Sequence, residues 1–62
     1  MLIDRIDREY KGYFIEINIY HSLAELIIYY DDYDYPFYKE KFIDYSEDEI
    51  LIQAKKIIEN SK

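Results

Sequence analysis

The chain reads as a small α+β domain: three antiparallel strands with one C-terminal helix packed across one face, and a short N-terminal helix as an option ahead of them. Three observations predict this. Polarity alternates from Tyr13 to Tyr20 and again from Ala24 to Asp31, and a helix-start signature at Ser46 opens an apolar stripe of helical period. A chain of 62 residues is expected to form a single domain, 1–62, close to the lower size at which one core holds unaided.

In the opening segment Ile3, Ile6 and Tyr10 share a helical face, but the stretch is too short to stand as an isolated helix. In the first strand the odd positions are Tyr13, Ile15, Ile17 and Ile19, with Glu16 and Asn18 between them, so the odd face is expected to meet the helix. The second strand carries Ala24, Leu26, Ile28 and Tyr30 on one side and Glu25, Ile27, Tyr29 and Asp31 on the other. Between them, His21 and Ser22 leave a connection short enough for a hairpin. A third strand is expected after Pro36, because proline can begin a strand but removes a donor from a central ladder. There Tyr38, Glu40 and Phe42 alternate with Phe37, Lys39, Lys41 and Ile43. Phe42 is placed inward, and Lys39 and Lys41 on the outer face near Glu16 and Glu25.

The helix has the strongest local signal. Ser46 followed by Glu49 is a capping box, and Glu47 and Asp48 add negative charge at the positive end of the dipole. Ile50, Leu51, Ala54, Ile57 and Ile58 form one continuous stripe, with Gln53, Lys55, Lys56 and Glu59 on the wet side. The late lysines are expected to suit the negative end of the dipole. One helix covers one sheet face. Phe14, Tyr20, Ile27, Tyr29, Phe37 and Ile43 would share the other, and such a face is expected to meet a second copy, as a homodimer, or a different partner.

Composition excludes several classes. Half the residues are apolar with one Gly and one Pro, the make-up of a folding chain despite a net charge of −6. Without cysteine and with His21 as the only imidazole, neither a disulfide staple nor a structural zinc site is expected. Asp4, Arg5, Asp7, Arg8 and Glu9 interrupt the start, so no signal peptide or membrane span is read there and a cytoplasmic location is the expectation. The charge is uneven: residues 1–24 have four acids and three bases, 25–49 have nine acids and two bases, and 50–62 have one acid and three bases. The middle of the chain owns the acidity, which suits basic surfaces rather than phosphates.

No catalytic residue, cofactor or metal site is assigned. His21 and Ser22 are neighbours in a turn, whereas a catalytic triad is a matter of spatial geometry, and a chain this short rarely encloses a pocket that splits two carboxylate pKa values. Asp31, Asp32 and Asp34 open like a calcium loop, but Pro36, Phe37 and Ile43 then stand at positions 5, 6 and 12, where a ligand, a glycine and a bidentate glutamate belong. The strand and helix order is similar to a double-stranded RNA-binding domain, which implies lysines at the start of the last helix; Glu47, Asp48 and Glu49 stand there instead. Direct nucleic-acid binding is thus disfavoured.

What remains is the run Tyr29, Tyr30, Asp31, Asp32, Tyr33, Asp34, Tyr35, which joins dense negative charge to amphipathic rings. With Asp44, Tyr45, Glu47, Asp48 and Glu49 it is expected to form one partner-binding face, the carboxylates imitating backbone phosphates and the tyrosines acting as anchors. In size and charge the chain is similar to the small acidic inhibitors of mobile elements, the anti-restriction and anti-CRISPR proteins, a likeness that implies a basic, nucleic-acid-binding partner. Ser46, Glu49 and Ala54 also resemble the helix start of sheet-and-helix antitoxins of the HicB type, without the Gly-rich turn that precedes it in that family. Three readings follow: a non-enzymatic inhibitor or regulator working through the acidic face, a homo-oligomeric or antitoxin-like module working through the outer sheet face, and a direct nucleic-acid binder.

Overall fold

A computed structural model describes residues 2–30 and 36–61. Four strands, β1 (Leu2–Tyr10), β2 (Tyr13–Tyr20), β3 (Ala24–Tyr30) and β4 (Pro36–Phe42), precede one helix, α1 (Glu47–Asn60). The strands form an antiparallel sheet in sequence order, and α1 lies across the central pair β2 and β3. No helix among the described residues is long and apolar enough to cross a membrane.

The expected three-stranded sheet is therefore corrected to four strands, and no N-terminal helix forms. Ile3, Ile6 and Tyr10 have helical spacing, but β1 needs only one buried position as an edge strand, and Ile6 fills it. The two-residue turn Lys11–Gly12 decides the matter. Both residues have positive φ, 51° and 85°, the signature of a tight hairpin turn whose twist matches the flanking strands. Tyr10 and Tyr13 then pair across it, and β1 zips onto β2.

The odd face of β2 meets the helix as its alternation requires. Ile15, Ile17, Leu26 and Ile28 are fully buried against Ile50, Ala54 and Ile58, with Leu51 and Ile57 partly buried at the margin. Phe42 faces the same core. At the helix start the Ser46 hydroxyl oxygen accepts from the Glu49 amide at 3.3 Å. The same hydroxyl donates to the Glu49 carboxylate at 3.3 Å. The helix ends at Ser61, whose hydroxyl and amide both return to the Ile58 carbonyl. No basic residue stands in the last turn, so Lys55 and Lys56 sit too early to meet the helix dipole's negative end, which acts only over that turn.

The outer face differs from the continuous apolar patch expected. Ile27 and Tyr29 are buried within the chain itself, 7% and 9% exposed, between flanking strands on both sides, and the Tyr29 hydroxyl is taken up by Glu16. Lys39 stands opposite Ile27, and Lys41 opposite Glu25. Phe14 and Tyr20 are half-buried. Phe37 leaves this set: a register shift at Ile28 and Tyr29 turns its ring toward Tyr13, 5.5 Å away and part of the helix-side core. Ile43 leaves it too, since β4 ends at Phe42.

Candidate functional site

Antiparallel connectivity sorts the charged segments to two ends of the sheet. The Lys11–Gly12 turn, Tyr30, Pro36 and the close of α1 share one end; the His21–Leu23 loop and the Ile43–Ser46 connection into α1 share the other. Seven residues of β4 separate them, about 20 Å of extended chain. Asp31, Asp32, Tyr33, Asp34 and Tyr35 lie outside the described residues. Their flanks, Tyr30 and Pro36, lie at the end opposite Asp44, Tyr45, Glu47 and Asp48. Tyr29 and Tyr30 also part company, as neighbours on a strand must. Tyr29 is buried on the outer face and donates to Glu16 at 3.2 Å, whereas Tyr30 is exposed on the helix side with its ring 4.8 Å from that of Tyr13.

The helix-start end is the most distinctive surface among the described residues. After Phe42 the chain turns through Asp44 at φ 64°, a left-handed conformation that aspartate tolerates better than most residues. The turn brings the Tyr45 ring edge-on to Phe42, centroids 5.1 Å apart, so Tyr45 is anchored by one side while half its surface stays in solvent. Ile43, two residues earlier, is 67% exposed. Asp44, Glu47, Asp48 and Glu49 follow within six positions and make no ion pair among the described residues. A cleft of about 250 Å³ opens between the His21–Leu23 loop, Phe42 and the Asp44–Tyr45 turn. His21, Ser22 and Asp44 all border it, but no hydrogen bond joins them among the described residues, so no relay is assembled.

At the other end Glu59 is neutralised. Glu59 accepts from the Tyr10 hydroxyl and from the Lys11 ammonium, each at 2.5 Å. Lys11 and Lys55 both stand 5.4 Å from the Tyr10 ring centroid. The hydrogen bond to Glu59 holds the Tyr10 hydroxyl above its ordinary pKa, and the same carboxylate raises Lys11.

The periodicity missed one feature of the outer face. Glu16, 8% exposed, accepts from Asn18 Nδ2 at 2.8 Å and from the Tyr29 hydroxyl, with Arg5 Nη2 at 3.5 Å. Glu16 and Asn18 are two apart on one strand and so point the same way, a spacing legible in the sequence. Their burial was not, because it depends on which strands flank β2.

Compared with protein-family models, with curated proteins and with solved structures, the chain matches none of them.

Proposed function

We propose that this chain is a small acidic interaction module that acts by binding, docking its helix-start end, Ile43 to Asp48, onto a basic protein surface. One observation carries the reading: among the described residues Asp44, Glu47, Asp48 and Glu49 make no ion pair, and they share one short segment with the exposed Ile43 and Tyr45, of which Asp44 and Tyr45 border the cleft. Elsewhere Asp7, Glu16 and Glu59 are matched to Arg5 or Lys11, and the other described acids, Asp4, Glu9, Glu25 and Glu40, are spread singly along the strands rather than clustered. Unmatched charge attracts a partner over distance, and aromatic or branched side chains supply contact area once it arrives. The likeness in size and charge to the small inhibitors of mobile elements supports a nucleic-acid-binding protein as the partner class.

The test immobilises the chain and captures partners from a cell lysate at about 0.1 M and about 1 M salt, where charges are screened beyond about 10 Å and about 3 Å. A basic protein is expected at the lower salt, displaced by duplex DNA, and lost with the triple variant Asp44→Asn, Glu47→Gln, Asp48→Asn. Tyr45→Ala should weaken capture and Glu25→Gln should not. Capture indifferent to the triple variant would refute the assignment of this end.

A further inference from the structure

We infer that two copies of this chain pair through β1, antiparallel and centred on Ile6, to make one continuous eight-stranded sheet with both helices on the same side. Among the described residues β1 has a neighbour on one side only. Its sequence around Ile6 is Asp4, Arg5, Ile6, Asp7, Arg8. Laid antiparallel against itself about Ile6, this places Ile6 opposite Ile6, Arg5 of one copy opposite Asp7 of the other, and Asp4 opposite Arg8. Asp4, Arg5, Asp7 and Arg8 each meet an opposite charge, twice over by symmetry, and Glu9 falls opposite Ile3.

The backbone agrees with that register. Tyr10 and Tyr13 close a two-residue turn and so exchange hydrogen bonds, which directs the even residues of β1 toward β2 and the odd ones outward. Two contacts confirm the direction. The Arg5 amide takes the side chain of Asp4 at 2.8 Å, and the Asp7 carbonyl takes the Arg8 guanidinium at 2.9 Å. The Arg5 amide and the Asp7 carbonyl are the groups that an Ile6-centred dyad joins across the interface. Pairing exchanges each intrachain cap for a ladder bond and releases Asp4 and Arg8 to meet across the dyad.

Alternative registers are opposed. Moving the dyad one residue to Arg5 or Asp7 sets two arginines or two aspartates face to face. The other edge, β4, repels its own copy: a dyad at Lys39 opposes two lysines, and one at Glu40 opposes two glutamates. Like charges directly across a strand pair are unfavourable. Thus β1 selects a second copy, whereas β4 centred on Lys39 or Glu40 opposes one. One strand pair buries less than the roughly 1,000 Å² that marks a stable interface, so the dimer is a weak, concentration-dependent one.

Sedimentation equilibrium across a concentration series tests this. Asp4 and Arg8 are both exposed, and among the described residues neither has a hydrogen bond or ion pair to Glu16, so Asp4→Arg and Arg8→Asp are expected to leave the fold intact. Wild type is expected to pass from monomer to dimer as concentration rises, less readily in high salt. Each single variant places like charges together at two positions and should weaken association at least about tenfold. Mixed in equal amounts, the two variants are complementary again, and a heterodimer at wild-type affinity or tighter should return. A wild type monomeric at every concentration, variants that dimerise unchanged, a mixture that stays monomeric, or growth beyond dimers would each overturn the inference.

Discussion

Replacing Glu16 tests the claim that the outer sheet face is held by a buried polar network rather than by a second apolar layer. The carboxylate receives two hydrogen bonds, from Asn18 and Tyr29, both themselves less than 10% exposed. A hydrogen bond to a charged group contributes about 1.5–3 kcal/mol. In Glu16→Ala both donors lose their acceptor, but the face opens to solvent and water replaces part of the loss, so about 2–3 kcal/mol in total is expected. Arg5 adds little, since its half-exposed guanidinium makes an ion pair of the class worth about 0–1 kcal/mol. For a chain of this length the whole stability is about 3–9 kcal/mol, so Glu16→Ala removes a large share. The midpoint of thermal unfolding should fall by about 10–20 °C. Glu16→Gln retains one acceptor oxygen and should cost about half as much as the alanine. Urea unfolding followed by circular dichroism, at one low protein concentration, reads both, and a double-mutant cycle with Tyr29→Phe should give a coupling of about 1 kcal/mol. A loss below about 0.5 kcal/mol in Glu16→Ala, with no coupling to Tyr29, would refute the network.

Gly12 has open space around the position of a Cβ, so Gly12→Ala is unfavourable through its φ of 85° alone. About 1–2 kcal/mol should be lost, while D-alanine at the same place in a synthetic chain should be neutral; equal losses from both would remove the backbone explanation. The pH prediction runs to the alkaline side. Tyr10, Lys11 and Tyr38 are all raised, the first two chiefly by hydrogen bonds to Glu59 and the third by its hydrogen bond to Glu40. The folded chain holds these protons more tightly than the unfolded one, so the stabilisation is full below the ordinary values of 10.0 for tyrosine and 10.5 for lysine. It is lost as pH rises through the folded values, and Glu59→Gln should shrink that alkaline decline; identical declines in variant and wild type would contradict it.

The four site-building segments differ in how much local information they carry. At Ser46 and Glu49 the cap lies within one turn, and the helix stripe from Ile50 to Ile58 repeats often enough to define its buried side. β2 and β3 declare themselves by alternation over seven or eight residues. Both signals are local, because backbone geometry alone sets their periods. β1 is the counter-example. Ile3, Ile6 and Tyr10 fit a helix by spacing, and the informative residue was the single glycine after Lys11, whose left-handed turn commits the flanks to a hairpin.

The separation of the acidic residues could not be read along the chain. Tyr30 and Asp44 are close in sequence, and counting charge by segment merges them into one acidic region. An antiparallel strand carries its two ends to opposite sides of the molecule, so the length of β4 decides that Asp44 to Asp48 stand apart from the flanks of the Asp and Tyr run. The same holds for Glu16, whose polarity is written in the chain while its burial depends on Arg5, Asn18 and Tyr29 arriving from other positions. Sequence by itself determined the class of fold, the helix with its cap, the inward faces of β2 and β3 and the acidity of the middle. Tertiary structure alone decided the fourth strand, the outer-face network and the placement of charge, since each depends on contacts between residues far apart in the chain.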